Sequence, residues 1–454
     1  MSVVPGELDT ERQPPMTVPL RHFVVGVGFL LLGGVVGVAV ALDAPSLGLA
    51  HVHLLLAGWV CVTIMGAMTQ FVPVWSGVRL HSRRLAVAQL WLVVVGALGF
   101  AGSLAAGRLP GLPLFGAVMA LGFWAFVYNV ARTLARSATY DVTERHFALA
   151  LGFFLLVPAL GVLLAVGFVR PVFAFLPVTR AAVVRTHATL AVFGAVLTTV
   201  LGALYQLAPM FTQTELHGVD AWLRRAEEVG YPVGVVLLAG GRLVESGPLA
   251  AVGGALVAGT LVGVGLILGR RLHETRVDWT PMLSRYAVVA AVLPLWASLA
   301  LVAWVRRPNS PRVLFGAPGT AHLLVVGVVG FVVLGTLYHV VPFIVWVHRY
   351  SDRLGYEPVP MVDDLYDDRL AAADFASLLA GTVLLVAADQ FGLPPAVAVA
   401  GGLLVLLGTV LFLANVLLVV RDHSPHSVLG VLFAAFATDQ AGGATEPSPA
   451  TDEE

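Results

Sequence analysis

Four of the thirteen histidines in this chain, His51, His53, His187 and His322, fall at the openings of three long apolar stretches. A histidine in hydrocarbon has to satisfy two ring nitrogens, so several at one level on related helices are hard to explain as filler. The chemistry open to them is ligation through a neutral ring nitrogen. Two imidazoles on different helices at matching depth can approach a planar iron porphyrin from its two faces, giving a six-coordinate, low-spin haem suited to electron transfer. His51 and His53 are two residues apart, about 200° around a helix, so they cannot both face one iron. The competing explanation is that these rings sit where helices meet the interface and a polar tip reaches water. A shared ligand accounts for the set of four better. His339 follows His322 by 17 residues, some ~25 Å along a helix, and cannot serve the same iron. The other histidines lie in loops or near helix ends.

The stretches that carry the four histidines repeat one layout. Aligned without gaps, His51, His187 and Thr320 coincide, as do His53, Thr189 and His322. Gly66, Gly202 and Gly335 come fifteen residues after the first set, then Thr69, Tyr205 and Tyr338, then Gln70, Gln206 and His339, and finally Pro73, Pro209 and Pro342. The copies start 136 and 133 residues apart, so one unit of roughly 130 residues is used three times. The polar pairs at the far ends of these stretches could line a proton path, but Tyr and Gln also serve as ordinary hydrogen-bonding glue between helices, the expectation preferred here.

The composition says where such a unit lives. With 58% hydrophobic residues, 12% charged and a mean hydropathy of +0.89, the chain has too little polar surface for a water-soluble globule. Twelve apolar runs are each long enough to cross ~30 Å of hydrocarbon, four per repeat: 20–42, 51–75, 85–107, 112–135, 147–169, 186–212, 230–247, 249–269, 286–305, 320–347, 370–390 and 395–420. In the seventh, Arg242 and Glu245 are spaced to pair on one face. Eighteen arginines flank one side of these runs and seven the other, which predicts both termini in the cytosol. The expected organisation is a cytosolic tail over 1–19, a membrane domain over 20–421 with repeats at about 20–136, 147–270 and 286–421, and a cytosolic, partly disordered acidic tail over 422–454. Cys61 is the only cysteine, which excludes an internal disulfide and a thioether-attached haem. A net charge of -1 without any lysine gives no nucleic-acid surface.

Taken together, these motifs resemble the catalytic subunit of the haem-copper oxidase superfamily, over nearly the whole chain. That subunit has twelve helices in three pseudo-symmetric arcs of four. In that family helix 2 carries a His, a Gly about fifteen residues on, a polar or aromatic pair and a Pro; His51, Gly66, Gln70 and Pro73 are similar. Helix 10 carries His-x-His and a distal aromatic pair. Here Thr320-Ala321-His322, with Tyr338, His339 and Pro342, is similar but lacks the first His. The resemblance implies that His322 is a low-spin haem ligand. Its partner is His51 by distance to the glycine, or His53 by the repeat register. His187 matches the helix 6 histidine that in the family binds copper or non-haem iron. Thr320 stands where the family places its high-spin haem ligand, and Tyr231 to Gly247, where the family has a His pair, contains no His. Copper and a second haem are therefore not expected.

The expectation is an all-α integral membrane protein of twelve transmembrane helices in three pseudo-threefold repeats, like subunit I of the haem-copper oxidases. It holds low-spin haem b through His322 with His51 or His53, in the cell membrane, for electron transfer or for redox or gas sensing. Its partners are membrane lipid and an electron-donor subunit or small membrane protein. Two alternatives stand beside it: a terminal oxidase or nitric oxide reductase subunit with an atypical metal site, and a non-redox transporter on the same scaffold.

Overall fold

A bilayer offers no hydrogen-bond partners to backbone amides, so a chain this apolar has to close its backbone on itself, and helices do so locally. The computed structural model describes residues 14–433, and they are all-helical with no strand among them. Twelve long helices succeed one another: α1 Thr17–Ala41, α2 Pro45–Trp75, α3 Arg83–Ala105, α4 Gly111–Leu134, α5 Val142–Val166, α6 Arg180–Thr212, α7 Val219–Leu243, α8 Gly247–His273, α9 Pro281–Arg306, α10 Ala321–Arg349, α11 Asp368–Phe391 and α12 Pro395–His423. All but α7, eleven in number, are long and apolar enough to cross a membrane. A short α13, Val428–Phe433, lies inside the segment expected to be a tail; Val431 is buried there and accepts a hydrogen bond from Arg21 Nε at 2.8 Å. The expectations for residues 1–13 and for the chain beyond Phe433 fall outside the described residues.

The seventh helix differs most from the sequence expectation. It begins at Val219 rather than near residue 230, so most of the expected 213–229 loop is helical and brings Asp220, Arg224, Arg225, Glu227 and Glu228 with it. Four of these charges are paired, and Arg225 is exposed. Asp220 is fully buried and meets Arg270 and Arg271 of α8, each at 2.7 Å. Just past α8, the Glu274 carboxyl is held below its ordinary range, first by the hydrogen bond from His217 Nε2 at 2.8 Å and further by Arg271. The expected Arg242–Glu245 pair does not form. Arg242 turns inward and donates to Thr189 Oγ1 at 2.6 Å and to the carbonyls of Pro308, Val313 and Leu314, each at 3.2 Å. Glu245 instead takes Arg185 at 2.5 Å, in a left-handed backbone conformation that ends the helix.

α6 and α10 are the most enclosed elements, with 83% and 78% of their apolar windows buried against 28% for α11. Neighbouring helices approach most closely at glycines: Gly234 meets Gly253 between α7 and α8, and Gly381 meets Gly401 between α11 and α12, where any Cβ would strike the opposite backbone. The three aligned glycines are also closely packed. A Cβ on Gly66 would meet His22 and Phe23 of α1, one on Gly202 would meet His146 and Phe147 of α5, and one on Gly335 would meet Arg285 and Tyr286 of α9. Each of α2, α6 and α10 contains a turn or more of π-helix, over Leu54–Cys61, Leu190–Leu197 and Val325–Gly330. Such turns rotate the remainder of the helix away from the phase of a regular α-helix, and often accompany functional sites.

Candidate functional site

The four candidate histidines lie just before the π segments, at the end of the bundle where α2, α6 and α10 begin. His51 places Nδ1 2.8 Å from the carbonyl of Gly33 on α1, and Gly37, one turn further along α1, leaves the space its ring fills; a Cβ there would stand 2.5 Å from Cε1. His187 repeats the socket with α5. Its Nδ1 is 3.1 Å from the carbonyl of Val157, and a Cβ on Gly161 would stand 3.2 Å from its Cε1. His53 bonds back to Leu49 O at 2.8 Å and lies against Phe100, with ring centroids 4.8 Å apart. His322 is held by the Asp389 carboxylate of α11, Nδ1 to Oδ2 at 2.6 Å.

These contacts fix a tautomer. A carbonyl only accepts, so Nδ1 of His51, His53 and His187 carries the hydrogen and Nε2 keeps its lone pair; the carboxylate does the same for His322. Among the described residues no hydrogen bond occupies any of the four Nε2 atoms. This is the arrangement of a metal-ligating imidazole, whose other ring nitrogen is oriented by a carbonyl or carboxylate.

The third copy of the socket is filled differently. His51 and His187 bond to residues eleven positions beyond His22 and His146; the same step from Arg285 reaches Trp296, whose indole donates to Phe315 O at 3.1 Å. Thr320, in the aligned histidine position, donates to Ala317 O at 2.7 Å. No three His, Cys, Asp or Glu side chains converge as a metal group among the described residues.

No protein-family model and no curated protein matches this chain. What the site does is therefore argued from its own geometry.

At the opposite end of the bundle lie buried polar clusters. His146 of α5, Glu227 of α7 and Tyr205 of α6 meet, with His146 Nε2 3.1 Å and the Tyr205 hydroxyl 2.9 Å from the Glu227 carboxylate. At aligned places in α9, α10 and α11, Arg285 and the Tyr338 hydroxyl both bond Asp374, and Asn415 of α12 reaches Tyr338 at 3.3 Å. Asn415 also clamps the backbone of Asp367, the residue capping α11, just as Asn129 of α4 clamps Ser82, which caps α3. Sequence reasoning singles out the two tyrosines and misses their acids. For Asp374 the available signal is an isolated acid within an apolar run; Glu227, beside Glu228 in the expected loop, offers none. The hydroxyls of Tyr205 and Tyr338 each bond a separate carboxylate, while His339 sits between Phe211 and Phe343.

Proposed function

We propose that this chain is a cell-membrane haem protein that binds low-spin haem b between His51 of α2 and His322 of α10, and that it transfers electrons or senses redox state or gas through it. The observation that carries the reading is the geometry of the two imidazoles: rings on different helices at the same end of the bundle, each with Nδ1 anchored and Nε2 free of hydrogen bonds among the described residues. The bound haem would supply a reversible one-electron couple. The chain's own residues do the positioning. Gly33 O and the Asp389 carboxylate hold the two rings in the ligating tautomer, and Gly37 leaves room for the His51 ring. His53 and His187 lie at the same end of the bundle with Nδ1 likewise anchored, and His187 is the residue most suited to any further metal. The proposal includes neither copper nor a second haem.

The architecture proposed with it is twelve membrane-crossing helices, including α7, in three four-helix repeats about a pseudo-threefold axis, with both termini cytosolic and the histidine end outside. The matched glycine contacts, π turns, histidine sockets and asparagine clamps support the repeats; the arginine bias supports the orientation. An electron-donor subunit or small membrane protein is the expected partner.

A reduced-minus-oxidised absorption spectrum of purified protein tests the function. The expected result is a sharp bis-imidazole signal that vanishes or turns high-spin in His322→Ala, with His51→Ala behaving alike. Haem-free purified protein, or an unchanged spectrum in His322→Ala, overturns it.

A further inference from the structure

Between the histidine end and the carboxylate end, α2, α6 and α10, with Phe23 of α1 and Phe147 of α5, line a half-open cavity of about 60 Å³ whose wall is almost wholly apolar. Its walls come from the same aligned positions on all three helices. Ala67, Ala203 and Thr336 form one set, and Thr63, Thr199 and Val332 another. The first set comes immediately after the three packed glycines: with Gly66, Gly202 and Gly335 pressed against α1, α5 and α9, the next residue on each helix is turned toward the common centre. Small side chains there leave the space open.

The cavity has room for water but little to hold it. A buried water needs two to four polar partners, and apolar cavities without them stay dry and take up small apolar guests. The three threonines on the wall have their hydroxyls engaged with protein groups, leaving them no donor for a water. Thr63 donates to Trp59 O and Thr199 to Ala195 O, both at 2.8 Å and both within their own helices. Thr336 shares a hydrogen bond with the Tyr286 hydroxyl at 2.8 Å. What Thr63 and Thr199 turn to the cavity is mainly methyl.

We infer that this axial cavity is a binding site for one small apolar gas molecule, of the size of dioxygen. The inference is independent of the haem reading, since it rests on the shape and chemistry of the cavity wall alone.

Xenon is the probe. Crystals of the full chain pressurised with xenon are expected to show one anomalous peak bounded by Ala67, Ala203 and Thr336. Ala203→Leu, which fills the space with three more carbons, is expected to abolish that peak. Ala67→Val provides a milder variant should the first not fold. No xenon at this position in the wild-type chain overturns the inference, as does ordered water bonded to the threonines there. A peak that persists unchanged in a folded filling variant overturns it too.

Discussion

Where α9, α10 and α11 meet, Arg285, Asp374 and Tyr338 are buried together; where α1, α2 and α3 meet, the aligned positions hold His22, Gln89 and Thr69. The two places share a construction. Gln89 and Asp374 each lie seven residues beyond the residue that caps their helix, Ser82 and Asp367, and each cap is clamped by an asparagine from the next helix. Yet one cluster is ionic with its carboxylate shared by a guanidinium and a hydroxyl, while in the other His22 Nε2 and both amide atoms of Gln89 are buried without a partner among the described residues. The comparison teaches that the helix arrangement is set by glycine contacts and backbone clamps, since it survives replacement of every charged member of the cluster. It also says where charge has become indispensable: a carboxylate buried beside Arg285 cannot be left alone.

The largest expected effect comes from that burial. Arg285→Leu strands the Asp374 carboxylate at a site with no exposure and should cost roughly 3–5 kcal/mol, the range for breaking a buried pair from one side. Thermal unfolding in detergent, with chemical unfolding to set the scale, reads it. Arg285→Leu combined with Asp374→Leu should recover much of the loss, because removing both partners leaves no uncompensated charge. A single variant as stable as the wild type would erase the distinction between the clusters.

Glu227→Gln is the intermediate case. It keeps the shape and one carbonyl oxygen but removes the charge that His146 and Tyr205 share, so about 1–3 kcal/mol should be lost in the same assay. A loss as great as that of Arg285→Leu would place this cluster with the fully ionic one. No loss would place it with Gln89.

How much of this is legible in the sequence depends on whether the cause is local. Eleven of the twelve runs are readable because transfer of apolar side chains into hydrocarbon is a property of the run itself. α7 is misplaced because Asp220 is made tolerable by Arg270 and Arg271, fifty residues away. The histidines are readable as a set, but what orients them is not: Gly33 O, Val157 O and the Asp389 carboxylate come from other helices. The π turns, which rotate each helix just past its histidines, leave no mark in an apolar sequence. Glu227 and Asp374 are overlooked because their importance lies in partners on other helices.

The smallest effect is the most discriminating. Gln89 is fully buried on α3, and neither its Nε2 nor its Oε1 has a partner among the described residues. An unsatisfied buried polar group costs on the order of 1–3 kcal/mol, whereas an apolar side chain of similar volume carries no such penalty. Gln89→Leu should therefore be neutral within ~0.5 kcal/mol or stabilising, even though the aligned Asp374 is indispensable to its own cluster. The measurement is the unfolding midpoint beside that of Arg285→Leu. A loss above ~1 kcal/mol would mean that the amide holds a buried water bridging toward His22, whose Nε2 is also unpartnered. The first cluster would then be a hydrated version of the third, rather than a neutral site whose polar atoms add nothing to the fold.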